Sequence, residues 1–273
     1  MAHTHWGAEA LWQQLEPLLP GLSVEVLPEV GSTNTLLVER ARADRAPCLL
    51  VAEAQTAGRG RLGRAWVSAP GASLTFSLAL PLAPRSWSGL SLAVGLAVAD
   101  ALDPVSDSPP KIGLKWPNDL WLAGRKLGGI LIETVVHGSE RIVVAGIGLN
   151  LRRQAIEGTA SLDEIEAAAE APAVLARIAL PLVRALLDFQ AHGFEAVAAA
   201  YGRRDVLRGH VVHTTAAGEA AGAGVGTAEG VDGDGALCVR NVAGELHRVV
   251  SGEVSVRLAS PVAPTSPSGA AAC

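Results

Sequence analysis

The spacing of hydrophobic residues along the chain predicts a series of helices and strands. Leucines and Trp12 fall on one helical stripe that ends at Pro20 and Gly21. Ser32 or Thr33 can cap a second helix. The first part of the chain is therefore expected to contain helices at 8–19, from 32 or 33 to about 43, and 90–102, with strands at 48–54 and 73–80.

Further along, apolar runs and turn signals predict consecutive strands. Hairpin signals occur at Ala123-Gly124 and at His137-Gly138-Ser139. We expect a mixed β-sheet with helices on one side, which is an α+β architecture. Pro181 should kink or divide an Ala-rich helix. The expected strands lie at about 112–116, 119–123, 126–136 and 141–151, and the Ala-rich helix at 171–201.

From Arg204 onward the chain changes to short alternating runs with frequent glycine, which is typical of a small β-barrel. The last segment consists of Pro, Ser and Ala with a terminal Cys, and this composition predicts disorder. We expect a first domain at 1–203, a second at 204–258 and a disordered tail at 259–273.

The composition excludes several classes of protein. The 273 residues are 49% hydrophobic, and 27 acidic against 22 basic side chains give a net charge of −5. The chain lacks the broad basic field that nonspecific nucleic-acid binding requires. Three scattered cysteines argue against a disulfide framework or zinc site. Without an evident signal peptide or an apolar run of about 18 residues, a cytoplasmic protein without a membrane span is expected.

The segment of residues 58–64, called the arginine loop below, reads Gly-Arg-Gly-Arg-Leu-Gly-Arg. Glycine lets backbone approach a ligand closely, and guanidinium groups bind phosphate or carboxylate bidentately. In an extended segment Arg59 and Arg61 would point the same way, and Arg64 the other way. The loop alone is also compatible with a flexible surface segment or an RNA-binding segment.

Five further strings accompany the arginine loop: Gly31-Ser32-Thr33-Asn34, Glu53-Ala54-Gln55-Thr56-Ala57, Lys115-Trp116-Pro117-Asn118-Asp119, Gly124-Arg125-Lys126-Leu127-Gly128-Gly129-Ile130-Leu131 and Gly146-Ile147-Gly148-Leu149-Asn150. In this order they closely resemble the catalytic domain of biotin protein ligases. The resemblance spans about residues 30–151, with a weaker echo near 204–257. It implies a class II synthetase-like catalytic domain followed by an SH3-like domain. Only about 30 residues precede Gly31, too few for the family's winged helix-turn-helix domain.

The resemblance implies ATP-dependent activation of biotin and its transfer to a lysine of a biotin carboxyl carrier domain of a biotin-dependent carboxylase. Lys126 matches the family's active-site lysine, and Arg61 is the second expected catalytic residue. Without the flanking strings, Lys126 would read as a solvated hairpin lysine. The resemblance implies biotin as the substrate, and the residues expected to bind it are Ser32, Thr33, Asn34, Gln55, Arg59, Gly60, Arg61, Lys126, Gly129 and Leu131.

A second set of residues is expected to bind ATP: Arg61, Arg64, Trp66, Lys115, Asn118, Asp119 and Asn150. Asp119 is also the expected Mg²⁺ ligand, because carboxylate oxygens suit that ion. It is a candidate base for deprotonating the carrier lysine as well, and both tasks cannot be assigned to it together. Trp116 is expected in the core, and Gly146 and Gly148 are expected to give the ligand room.

Two other functions remain open from the sequence. A lipoate ligase or lipoyl/octanoyl transferase of related fold shares the lysine after Arg125, although the arginine loop and the Lys-Trp-Pro-Asn-Asp string favour biotin. A nucleic-acid-binding module would use the arginine loop, and the net charge of −5 opposes it. The chain is consistent with either a monomer or a homodimer.

Overall fold

The computed structural model describes residues 4–216, 224–250 and 254–258. Five helices occur in this part of the chain: α1 (Ala8–Leu15), α2 (Thr33–Arg40), α3 (Leu90–Leu102), α4 (Ala171–His192) and α5 (Glu195–Gly202). The strands of the first half are β1 (Ser23–Val30), β2 (Cys48–Gln55), β3 (Ser73–Pro81), β4 (Ile112–Lys115), β5 (Asp119–Leu122), β6 (Arg125–His137) and β7 (Glu140–Asn150). The strands of the second half are β8 (Val211–Ala216), β9 (Gly224–Val231), β10 (Leu237–Asn241), β11 (Leu246–Val249) and β12 (Val254–Leu258).

Strands β1–β7 form one mixed sheet in the order β1-β2-β3-β7-β6-β5-β4. The β1–β2 pair is parallel, whereas β2–β3, β3–β7, β7–β6, β6–β5 and β5–β4 are antiparallel. The long central strands β6 and β7 place their glycine-containing segments side by side, with Gly129 opposite Gly148 and Leu131 opposite Gly146. The predicted α+β class with a mixed sheet is confirmed.

Helices cover both faces of this sheet, so the expectation of helices on one side was wrong. Leu49 and Val51 of β2 belong to the large core that contains α1, α3 and α4. The alternate residues Cys48 and Leu50 belong to a second core with Leu37 of α2. Successive strand residues point to opposite faces, so α2 lies on the other side of the sheet. Burial on both faces explains why β2 is almost uniformly apolar.

Three local predictions needed correction. Helix α2 ends at Arg40, and β1, which was not predicted, lies between α1 and α2. Helix α4 continues through Pro181, because the apolar face around it is fully buried and holds the helix in place despite the missing N–H donor. The division between α4 and α5 occurs instead at Gly193, whose φ of 72° ends the helix.

Strands β8–β12 form a second, antiparallel sheet in the order β11-β10-β9-β8-β12, as expected for a small SH3-like domain. The indole Nε1 of Trp116, buried as expected, donates to the Gly235 carbonyl 3.0 Å away and joins the two sheets. The segment before β8 pairs with β4, since Leu114 N donates to Arg204 O at 2.7 Å. The expected tail at 259–273 lies outside the described residues. Within the described ranges, no helix has the length and apolar character needed to cross a membrane.

Candidate active site

A cleft with a volume of about 230 Å³ opens on the α2 face of the large sheet. Its floor is formed by the centres of β3, β6 and β7, and its rim by the start of α2, the arginine loop and the segment 115–119. Every residue expected from the sequence to bind biotin or ATP lines this cleft, except Asn150. The sequence motifs, whose cleft residues run from Ser32 to Gly148, are therefore brought to one site.

The start of α2 is held by a group of side chains, called the polar cluster below, in which Gln55 is half-buried and the others are buried: Thr33, Asn34, Gln55 and Ser77. The Oε1 atom of Gln55 accepts from Thr33 N at 2.7 Å and from Thr33 Oγ1 at 3.1 Å. Ser77, fully buried on β3, has its Oγ 2.6 Å from Asn34 Oδ1 and 2.8 Å from Thr33 Oγ1. Ser32 caps α2 by accepting from Thr35 N, as its N-cap interpretation predicted.

Gly146 and Gly148 lack side chains where protein side chains, and not a ligand, occupy the space above the strand. A Cβ on Gly146 would lie 2.1 Å from Asn34 Oδ1, and a Cβ on Gly148 would lie 2.4 Å from Trp66 Cε2. Both distances are far below van der Waals contact. The expectation that these glycines leave room for the ligand was incomplete, because Asn34 and Trp66 occupy that room and themselves form part of the cleft.

A β-bulge directs Lys126 into the cleft. The β5–β6 register changes from Leu120 opposite Gly128 to Trp121 opposite Lys126, so Leu127 is an extra residue on β6. The extra residue reverses the alternation of side chains and places Lys126 on the same face as Gly129. A Cβ on Gly129 would lie 3.3 Å from Lys126 Nζ, so this glycine gives the lysine its space.

Lys126 Nζ donates to Asp119 Oδ1 at 2.6 Å across these two strands. The Lys126 side chain is 36% exposed and that of Asp119 20% exposed, so the ion pair is open to a ligand from the cleft side. Asp119 faces Gly129 in the register, and the missing side chain at Gly129 allows the close approach. The lysine that the resemblance implies as the active-site lysine is therefore held in position by Asp119, the carboxylate expected to bind Mg²⁺.

The arginine loop is not extended. Gly60 N donates to Arg64 O, and residues 61–63 form a single 3₁₀ turn with Leu62 at φ 56°. Arg59 contacts Thr35 Oγ1 and Glu133, whereas Arg61 Nη1 donates to Asn118 Oδ1 at 3.2 Å. The expectation that an extended segment points both side chains the same way was wrong, because the turn separates them toward different parts of one cleft.

Arg61 is the more buried of the two arginines. Burial lowers the pKa of its guanidinium, while the charge of Asp119 opposes that shift and the neighbouring Arg64 adds to it. Desolvated cations interact more strongly with an approaching anion than solvated ones do. Asn118, whose Nδ2 donates to Ile130 O at 2.8 Å, is fixed to β6 and holds Arg61 in turn.

Two aromatic residues shape the nucleotide-binding part that the sequence predicted. Lys115 Nζ lies 4.9 Å from the centre of the Trp121 ring, which steers the lysine by a cation–π contact. Trp66 packs its indole over Gly148, and its buried Nε1 has no hydrogen-bond partner within the described part of the chain. A buried donor of this kind in a cleft is suited to a ligand acceptor.

Asn150 lies beneath the cleft instead of lining it. Its Nδ2 donates to the carbonyl of Lys126 at 3.3 Å and to that of Ala160 at 3.1 Å, and the residue is 5% exposed. It supports the backbone that carries Lys126. A direct ATP contact by Asn150 stays a prediction.

The charge of the cleft is opposite to that of the whole chain. Its lining residues include one acidic side chain, Asp119, and five cationic ones: Arg59, Arg61, Arg64, Lys115 and Lys126. Such a concave positive site concentrates anionic ligands. In the described residues, His, Cys, Asp and Glu do not form a group of three or more able to hold a metal ion by themselves.

Sequence reasoning missed two residues beside the cleft. Ser77 orients the polar cluster, and Glu133 contacts both Asn34 and Arg59. The alternation of residues 73–80 predicted that Ser77 shares a face with Thr75, and this was the available signal. Nothing in the local sequence distinguishes Glu133 from an ordinary strand carboxylate.

Comparison with known proteins agrees with this geometry. Residues 26–150 match the biotin/lipoate A/B protein ligase family, and residues 217–257 match the biotin protein ligase C-terminal domain. A biotin–[acetyl-CoA-carboxylase] ligase of Mycobacterium tuberculosis is 35% identical over 91% of this chain and 91% of its own length. The bifunctional ligase/repressor BirA of Salmonella typhimurium is 33% identical over 87% of this chain and 75% of its own length.

The fold is also similar to a solved structure with ligands. The biotin protein ligase of Aquifex aeolicus in complex with biotin and ATP superposes with a TM-score of 0.70 and 29% identity, covering 86% of this chain and 99% of that one. The sequence motifs, the cleft and these similarities agree. The chain belongs to the biotin protein ligase family.

Proposed function

We propose that the cleft activates biotin with ATP to give biotinyl-5′-AMP and pyrophosphate, and then transfers biotin to a lysine of a biotin carboxyl carrier domain. The observation that carries this proposal is the Lys126–Asp119 pair among the cationic side chains of the cleft. The polar cluster adjoins the same cleft. One site thus offers cations for the biotin carboxylate and the ATP phosphates, and polar groups for the ureido ring of biotin.

The first half-reaction needs the cations. The biotin carboxylate oxygen attacks the α-phosphorus, the bond to the β-phosphate oxygen breaks and pyrophosphate leaves. Two like unit charges about 4 Å apart repel by roughly 4 kcal/mol at an effective dielectric near 20. Lys126 and Arg61 line the space in which these anions would meet, and Arg61 is partly desolvated. We infer that they cancel the repulsion and stabilise the charge of the transition state.

Biotin is expected at the end of the cleft next to α2. Gln55 uses Oε1 to hold Thr33, which leaves the two Nε2 hydrogens available to a ligand oxygen. Ser32 accepts from a backbone N–H, so its hydroxyl hydrogen can donate. Since Asn34 makes its hydrogen bonds within the protein, we infer that it fixes the shape of this end of the cleft.

Magnesium fits the cleft as an ion carried with ATP. Asp119 supplies one carboxylate, and Mg²⁺ in nucleotide sites is bound through one or two carboxylates together with substrate phosphates and water. When bound, the ion would neutralise phosphate charge. Lys126 and Arg61 are the protein cations that we assign to the reacting carboxylate and α-phosphate.

In the second half-reaction the carrier lysine attacks the acyl carbon of the mixed anhydride, the C–O bond breaks and AMP leaves. The lysine must lose a proton. Asp119 is the acidic side chain that lines the cleft, and it could accept this proton only after pyrophosphate and its Mg²⁺ have left, so the two tasks would fall in different half-reactions. We expect the partner to be the carrier domain of a biotin-dependent carboxylase, and we expect the reaction to occur in the cytoplasm.

The proposal is tested by incubating the protein with ATP, Mg²⁺, biotin and an isolated carrier domain, and by measuring the carrier mass. An increase equal to one biotinyl group, absent when the carrier lysine is replaced by arginine, is the expected result. Replacing biotin with lipoate is the control for the related activity of the family. Modification by lipoate alone, or no modification, would refute the proposal.

A further inference from the structure

Glu133 lies on β6 beside the cleft, and its carboxylate connects two parts of the site. Oε2 accepts from Asn34 Nδ2 at 2.9 Å, and Oε1 lies 3.5 Å from Arg59 Nη1. Asn34 belongs to the polar cluster and Arg59 to the arginine loop. Glu133 itself does not line the cleft, so its influence on a ligand would be indirect.

One oxygen of the Glu133 carboxylate contacts a neutral amide, and the other contacts a cationic guanidinium. The neutral Asn34 amide needs an acceptor, and its other hydrogen is taken by the Leu131 carbonyl at 3.2 Å. The Arg59 guanidinium needs a negative charge, and it also donates to Thr35 Oγ1 at 3.4 Å. The carboxylate is 25% exposed and Arg59 is 48% exposed, so the ion pair can break and reform without unfolding the strand.

We propose that Glu133 is a positioning residue that anchors the arginine loop to the polar cluster through Arg59. The anchor holds the first half of the loop beside the biotin-binding end of the cleft in the free protein. Its consequence for ligand binding rests on the proposed function. Since the Arg59–Glu133 ion pair is partly exposed, its loss should loosen the arginine loop without disturbing the fold.

Replacing Glu133 with Gln separates the two contacts. The Gln carbonyl oxygen can still accept from Asn34, but the negative charge that attracts Arg59 is lost. A partly exposed ion pair is worth about 0.2–1 kcal/mol, which corresponds to a change of up to about fivefold in an equilibrium constant. We therefore expect hydrogen exchange of the amides of the arginine loop, residues 58–64, to accelerate about threefold in ligand-free Glu133→Gln.

A double-mutant cycle tests the partner. If Arg59 and Glu133 act through one contact, Arg59→Gln accelerates loop exchange to a similar extent, and the double variant is no faster than either single variant. Glu140→Gln is the matched control, because Glu140 forms an exposed ion pair with Arg45 away from the cleft. Unchanged exchange in Glu133→Gln, or additive effects in the double variant, would overturn the anchor.

The ligand readout is the dissociation rate of biotinyl-5′-AMP and the KM for biotin. Both should rise about threefold to fivefold in Glu133→Gln, while kcat for adenylate formation stays within about twofold. A fall in kcat with unchanged KM and dissociation rate would contradict a positioning role. If the unmodified protein forms no adenylate, the proposed function fails, and loop exchange in the ligand-free protein still decides whether Glu133 is the anchor.

Discussion

Lys126 Nζ and Asp119 Oδ1 are 2.6 Å apart, on two strands whose register is shifted by one residue at that point. The shift and Gly129 together give Lys126 access to the cleft, and Asp119 holds its ammonium group there. A lysine side chain without such a partner would lose several rotamers on binding. The pair therefore places the central cation before any substrate arrives.

Asp119→Asn should lower kcat for adenylate formation by at least about tenfold, with a smaller change in the KM for biotin. The amide retains the size of the side chain but removes the charge that positions Lys126. The measurement is biotin-dependent pyrophosphate release under steady-state conditions. Glu166→Gln, which removes a carboxylate from the ion pair with Arg177, is the control. Activity of Asp119→Asn equal to that of the control would contradict the role assigned to Asp119.

Arg61→Gly should still form some biotinyl-5′-AMP but release it faster, because the guanidinium contacts Asn118 and reaches over the cleft from the loop. We expect the arginine loop to act as a lid over the bound anhydride, and loss of the Arg61 contact to expose the anhydride to water and stray amines. The measurements are the dissociation rate of the adenylate and the labelling of albumin. If the variant retains the intermediate as long as the unmodified protein and labels albumin no more, Arg61 does not close the cleft.

Ser77→Ala should weaken biotin binding about tenfold and leave kcat at saturating biotin nearly unchanged. The substitution removes the hydroxyl 2.6 Å from the buried Asn34 Oδ1, and an unpaired buried acceptor costs about 1–3 kcal/mol. Calorimetric titration with biotin measures the affinity, and Ser23→Ala on the exposed start of β1 is the control. Unchanged affinity would show that the polar cluster does not shape the biotin end.

The residues that line the candidate cleft were largely predictable from the sequence, but their relative geometry was not, and their roles toward biotin and ATP stay predictions. Lys126 was identifiable from its neighbours, whereas the bulge that turns it toward Asp119 depends on pairing between β5 and β6. The glycines at 146 and 148 suggested space for a ligand. Only the packed structure shows that Asn34 and Trp66 occupy this space. Glu133 gave no local signal, because its importance comes from Asn34 and Arg59, which are distant in sequence.

The fold, too, was predictable from the sequence only in part. Hydrophobic spacing located α3 and the central strands, since burial of one face decides such segments. Hydrophobic spacing did not reveal that α2 covers the second face of the sheet. The apolar run of β2 indicates burial on both faces, but it does not identify the elements that pack on each face. Helix α4 is not divided at Pro181, because packing of its buried face outweighs the hydrogen bond that proline cannot donate.

Asp205→Asn should stabilise the protein at neutral pH, because the amide brings no charge into this buried position. Burial raises the pKa of Asp205, although hydrogen bonds from Leu207 N and Arg208 N and the charge of Arg208 oppose the shift. An acid whose folded pKa is raised binds its proton more tightly when folded, so stability falls as the pH rises from the unfolded pKa through the folded one. Above that window the native state carries the full cost of a buried charge, which the amide avoids.

Thermal unfolding of Asp205→Asn and the unmodified protein should therefore differ near pH 7. The difference should shrink as the pH falls below the ordinary range for aspartate, where the carboxyl is protonated in both states. Asp44→Asn, at an exposed position, is the control. A difference that is constant with pH would mean that packing, not ionisation, determines the effect.

The central claim is that this cleft joins biotin to AMP by means of Lys126. Its most direct test is the formation of biotinyl-5′-AMP and pyrophosphate from biotin and ATP, measured for the unmodified protein and for Lys126→Ala after both are shown to be folded by circular dichroism. We expect biotin-dependent product from the unmodified protein and a rate at least about a hundredfold lower in the variant. Equal rates of adenylate formation in the two folded proteins would contradict the claim.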